Sequence, residues 1–175
     1  MCIRDSDEGK DLAPRLPKLD IEVVVSKKKD KEGWYMVNQT VSARVKMKNL
    51  STRIAFPKST IHLTYFGRDR RNAENYKIME RKSFECELAI GAQTEEAVDG
   101  FKTRYDSDNK GYGNVGGYEY DSYLLVITDA DGKVIDARTS DAGVRALIVK
   151  DLSKAGTVNK TSVGTILNKE LNALK

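Results

Sequence analysis

Tyr118-Glu-Tyr-Asp-Ser-Tyr-Leu-Leu-Val-Ile-Thr-Asp-Ala-Asp-Gly-Lys-Val-Ile-Asp-Ala-Arg-Thr-Ser140 reads as a β-hairpin. An apolar run from Tyr123 to Ile127 stops at Asp129-Ala130-Asp131-Gly132, and Val134 and Ile135 resume the pattern beyond it. Aspartate ahead of glycine is turn chemistry: the carboxylate binds nearby backbone N–H groups, and Gly132 accepts the positive φ that a tight turn requires.

Other strands can be arranged around this pair. Leu19, Ile21, Val23 and Val25 alternate with Asp20, Glu22 and Ser26, although Val24 interrupts the polar side, and Lys27–Gly33 reads as the loop that follows. Val37, Val41, Ala43, Val45 and Met47 alternate with Ser42, Arg44, Lys46 and Lys48, the period of two expected of a half-solvated antiparallel strand. Ile61, Leu63 and Tyr65 form a third strand ending at Gly67. Phe84, Cys86, Leu88 and Ile90 mark a fourth within Tyr76–Ile90. Gly91–Gly100 is polar, and Phe101, Thr103 and Tyr105 give a short strand before the Asp-, Asn- and Gly-rich loop Asp106–Gly117. Short strands separated by turn signals, without interleaved helices, predict a mainly β fold: an antiparallel sandwich of the immunoglobulin or fibronectin type.

After Ser140 the period changes. Asp141 is placed to cap a helix carrying Val144, Leu147, Ile148 and Leu152, with Gly156 as its stop. This helix is expected over an open end or edge of the sandwich. A second helix is expected from about Ser162, with Val163, Ile166, Leu167, Leu171 and Leu174 on one stripe, weakened by Gly164. The organisation expected is thus a lead-in over 1–18, a sandwich over 19–140 and a helical extension over 141–175. Within the lead-in, Met1–Ser6 resembles translated adapter sequence and is set aside as a scar, so the N-terminus is expected to be incomplete. Asp7–Lys18, with Pro14 and Pro17, reads as a linker.

A chain of 175 residues can bury a core without disulfides or metals. Charged residues make up 32% of it, yet the net charge is only +4, so a dedicated nucleic-acid surface is not implied. Cys2 lies in the set-aside N-terminus and Cys86 within a strand pattern, which suggests a buried thiol rather than a disulfide. No apolar run approaches the roughly 18 residues of a membrane helix, and residues 1–18 lack the form of a secretory signal.

Candidate sites are sparse. Asp106 and Asp108 stand at alternate positions before Gly111, as calcium loops begin. Lys110 occupies the place of a third oxygen ligand, however, and no glutamate closes the loop, so the default reading is a polar turn and no metal or other cofactor is expected. Trp34, Tyr35, Tyr105, Tyr112 and Tyr118 lie at strand boundaries or beside glycines, where rings can stack on a sugar or grip a peptide, with Trp34 and Tyr112 the better candidates for exposed contact. His62 is the only histidine, so zinc binding or triad chemistry would depend on it alone. Glu95 and Glu96 read as solvated surface, as does the cationic knot Arg68, Arg70 and Arg71 next to Lys77. Asn38, Asn49 and Asn159 each begin a glycosylation tripeptide, relevant only in a eukaryotic secretory route.

The strand patterns Val41–Asn49, Thr60–Gly67 and Tyr118–Ser140 together resemble uncharacterised envelope β-sandwich proteins of Verrucomicrobia and Planctomycetes. The resemblance spans about residues 19–150. It implies periplasmic, cell-envelope or secreted placement and offers no catalytic residues. The expectation is a non-enzymatic module for protein contacts or structural support, with self-association through the C-terminal helix as one route. The alternative is a carbohydrate- or peptide-binding module using the Gly- and Tyr-rich loop. Neither involves nucleic acid.

Overall fold

The computed structural model describes residues 15–108 and 113–174. The strands are β1 Leu19–Glu32, β2 Met36–Asn49, β3 Phe56–Asp69, β4 Tyr76–Leu88, β5 Gln93–Asp106, β6 Tyr118–Thr128, β7 Val134–Thr139 and β8 Ile166–Leu167; the helices are α1 Ala142–Lys150 and α2 Ser153–Lys160. One sheet has the order β1-β2-β5 and the other β7-β6-β3-β4-β8, with every pairing antiparallel. The chain is mainly β, an antiparallel sandwich with two short C-terminal helices. Among the described residues no helix is long and apolar enough to cross a membrane.

The opening hairpin forms as read. Leu124 pairs with Thr139 and Ile127 with Asp136; Gly132 has φ 79°, and Asp129 Oδ1 accepts from the N–H groups of Asp131 and Lys133 at 3.0 and 2.8 Å. Alternation on β2 puts Val41, Ala43, Val45 and Met47 into the space between the sheets, against Ile61, Leu63 and Tyr65 of β3. Tyr65 crosses that space and donates to the Val98 carbonyl of the opposite sheet at 3.3 Å. Cys86 is buried there as expected, and burial pushes its thiol pKa up.

Leu124, Leu125, Val126 and Ile127 are all fully buried, although a sandwich strand ordinarily hides only alternate residues. The helices supply the reason. Instead of closing an end or edge, α1, α2 and the segment through Leu171 lie across the outer face of the larger sheet. There Val144, Ile148, Ala155 and Val158 meet Phe66, Ile78, Leu124 and Val126 in a second core. Asp141 caps α1, its Oδ1 accepting from the Val144 N–H at 2.8 Å.

Three expectations change. The Lys27–Gly33 loop is strand through Glu32, because β2 continues the ladder alongside it in unbroken register and the charged side chains stay in water. The polar stretch from Gly91 holds the first half of β5, paired with β2 from Gln93 onward. The helix expected near Ser162 is absent: Gly164 (φ 92°) and Leu171 (φ 65°) take left-handed conformations that interrupt a helix, and Ile166–Leu167 pairs with Lys77–Tyr76 instead. The second helix lies earlier. The chain leaves α1 at Asp151, and Gly156 sits inside α2 against Val134.

Candidate functional site

The β1–β2 hairpin ends in Gly33-Trp34-Tyr35. Trp34 is 98% exposed, and Tyr35 is also exposed. The tip is tied down from behind, the Tyr35 carbonyl accepting from Ser107 N–H and Oγ–H at 2.7 and 2.8 Å. Next to it lies an ion cluster centred on Glu119. Its Oε1 accepts from Lys29 Nζ at 2.7 Å and the Tyr105 hydroxyl at 3.1 Å, and its Oε2 accepts from Arg70 Nη1 at 3.1 Å. Burial alone would raise the Glu119 carboxyl, but Lys29, Tyr105 and Arg70 outweigh it and hold the group below its usual pKa. Lys29 is raised in turn, chiefly by its bond to Glu119. So occupied, the carboxylate ties β1 and β5 of one sheet to the end of β3 in the other.

The aromatic candidates do not form one platform. Tyr105 is a correction: it is only 2% exposed, packed under Lys29 and Arg70, because the β5–β6 loop folds back over it through the Gly117 bridge. Tyr118 is half-buried with Lys77 Nζ 5.0 Å from its ring centroid. Tyr112 lies outside the described residues. Trp34 and Tyr35 remain as exposed neighbours.

Asp106, the calcium candidate, is fully buried. Its Oδ1 accepts from the Asp108 N–H at 3.1 Å and its Oδ2 from the Val115 N–H at 3.0 Å, so the carboxylate closes the loop on itself. Among the described residues no group of three or more His, Cys, Asp or Glu side chains is placed to hold a metal. The arginine knot also works internally: Arg68 meets Asp121 at 2.7 Å, Arg70 binds the Asp106 and Ser107 carbonyls, and Arg71 donates to the Asn114 carbonyl. His62 stands between two hydroxyls, with Nδ1 2.7 Å from Ser83 Oγ and Nε2 3.1 Å from Thr128 Oγ1.

A second surface lies on the open side of the sandwich, between the edge strand β1 and the β7–α1 corner. The inward side chains Leu19, Ile21, Val23 and Val25 are only half-buried here, whereas those of β2 are sealed. They border a groove of about 770 Å³ lined by Ile21, Val23, Tyr123, Arg145, Val149 and Leu152, among others. Val149 is 80% exposed. Sequence reasoning missed this surface, although a signal was present: Val149 falls off the stripe Val144, Leu147, Ile148, Leu152, as an apolar residue on the helix face expected to be polar.

No family model matches the chain. No curated protein does either. Among solved structures, a crystal structure of a protein from Akkermansia muciniphila aligns over 71% of this chain and 72% of that chain, at 7% identity and a TM-score of 0.34. That neighbour is a bacterial protein.

Proposed function

We propose that this chain is a non-enzymatic contact module that joins another polypeptide along the open side of its sandwich. The observation that carries the reading is the groove between β1 and α1, where exposed Val149 and Leu152 lie next to half-buried Ile21 and Val23. Contiguous exposed apolar surface on a folded domain is characteristic of protein contact. The apolar side chains of α2 do not compete for that role, since Ala155 and Val158 are spent within the fold. A non-catalytic role is supported by the two best chemical groups, His62 and Glu119, being held by hydroxyls and by cations respectively. The extracytoplasmic setting, periplasmic, envelope or secreted, rests on the family resemblance of the strand pattern.

The test is a photo-crosslinking side chain at position 149. One discrete polypeptide adduct, lost when Leu152→Asp is added, is the expected result; adducts that are absent, or unaffected by that change, would remove the reading.

Trp34 favours a second reading, in which the hairpin tip stacks on a sugar or peptide. Glycan-array binding abolished by Trp34→Ala would select it.

A further inference from the structure

The four sheet edges are not equivalent. β8 has two residues and β7 six, and β5 shifts register against β2 between Thr40 and Ser42, opposite Gly100. β1 is different: fourteen residues, no proline and no bulge, and among the described residues paired with β2 on one side only. A long, regular edge of that kind invites another strand.

Its sequence states which strand fits. On the outward face stand Asp20, Glu22, Val24, Ser26 and Lys28, running from acidic through apolar to basic. Parallel pairing with a copy of itself would set like charges face to face. Antiparallel pairing about Val24 sets Asp20 opposite the second copy's Lys28 at both ends, Glu22 opposite Ser26 and diagonal to Lys28, and Val24 against its own counterpart, itself 42% exposed in the single chain. Val23 then faces Val25 on the inner side. Lys28, which would repel an arbitrary basic strand, is thus matched by Asp20 of the second copy, while Lys27 and Lys29 fall opposite Ile21 and Leu19.

We infer that the polypeptide joined at the open side is a second copy of this chain, paired antiparallel through β1 to make one continuous six-stranded sheet. The inference rests on the contact reading above and names its partner. The two-fold axis would run perpendicular to that sheet at Val24, leaving both larger sheets on the same side and the two grooves facing one another across the axis.

Sedimentation equilibrium of the full chain tests it, with circular dichroism as the check on folding, since Asp20, Val24 and Lys28 are all exposed. A dimer is expected. Asp20→Lys alone and Lys28→Glu alone should each weaken it about tenfold, since each converts two cross-strand attractions into repulsions. Mixing the two variants, or placing both changes on one chain, should restore it; Val24→Lys, which places two ammonium groups at the axis, should abolish it. A chain that stays monomeric at the highest soluble concentration overturns the pairing, as does a dimer indifferent to the charge swaps. If the position-149 adduct persists in either case with a different polypeptide, the contact reading survives without this partner.

Discussion

Arg81 Nη2 donates to the Val158 carbonyl at 2.7 Å, joining a strand of the larger sheet to the last turn of α2. Nη1 reaches the Thr161 carbonyl at 2.9 Å, and Nε reaches the hydroxyl of the buried Thr64 at 3.0 Å. A cation is thereby placed at the negative end of the helix dipole, where the Val158 carbonyl also accepts from the Thr161 N–H at 3.0 Å. Arg81→Met should cost about 2 to 4 kcal/mol, because three acceptors lose a charged donor at once. The urea midpoint reads the loss. Faster amide exchange over residues 153–174 than over β2 would place it in the helical layer, and uniform exchange would refute a local clamp.

His62 gives a pH signature. Its pKa is held below the ordinary 6.5, first by burial and then by the positive charge of Arg81. The unfolded chain therefore takes up the proton at a higher pH than the folded one. Stability from this residue is complete above about pH 7 and falls as pH drops through the unfolded value towards the folded one. His62→Gln should flatten that part of the curve of urea midpoint against pH. An unchanged slope would assign the loss to carboxylates.

Two glycines with positive φ should differ sharply when replaced by alanine. A Cβ on Gly132 meets nothing within 4 Å, so the cost is about 1 kcal/mol of backbone strain. On Gly117, at φ 100°, it would lie 2.5 Å from the Arg104 carbonyl oxygen and 2.7 Å from Tyr105 Cα, and the cost should be about 3 kcal/mol or more. Thermal melts of the two variants settle the order; equal losses would mean that the β5–β6 loop yields freely.

Asp106 should behave as a structural carboxylate. Asp106→Ala leaves the N–H groups of Asp108 and Val115 without that acceptor and should lower stability by about 1 to 3 kcal/mol. Millimolar calcium should leave the melting temperature of the parent chain unchanged. A rise of several degrees would restore the ion-binding reading of Asp106 and Asp108.

The strands were legible wherever one face meets the core, because burial writes a period of two into β2 and the inner half of β1. The β6–β7 hairpin was legible from its turn, where Asp129 and Gly132 act through local geometry alone. The outer half of β1 was not: Lys27–Glu32 is held by backbone pairing on an exposed hairpin, and nothing in its composition distinguishes that from a loop. The stripe Val163–Leu174 misled because apolar residues spaced for a helix are equally usable by a turn-rich segment laid over a sheet, as Leu167 and Leu171 are. Tyr105 was misplaced for a related reason. Its burial comes from Gly116–Gly117, at the far end of the adjoining loop, folding back beside it, and from Lys29 and Arg70 lying over its ring.

The central position of β3 has a consequence during synthesis. Thr60 pairs with Thr128, so this strand must wait for dozens of further residues to leave the ribosome before its second edge is occupied. Until then the chain holds the β3–β4 hairpin with one flank bare; β2, made earlier, can cover Ile61 and Leu63, whereas Phe66 waits for the outer layer built from Val144 onward. Vectorial translation thus leaves an unpaired sheet edge and the Phe66 face of β3 exposed on the nascent chain, the kind of intermediate from which aggregation starts.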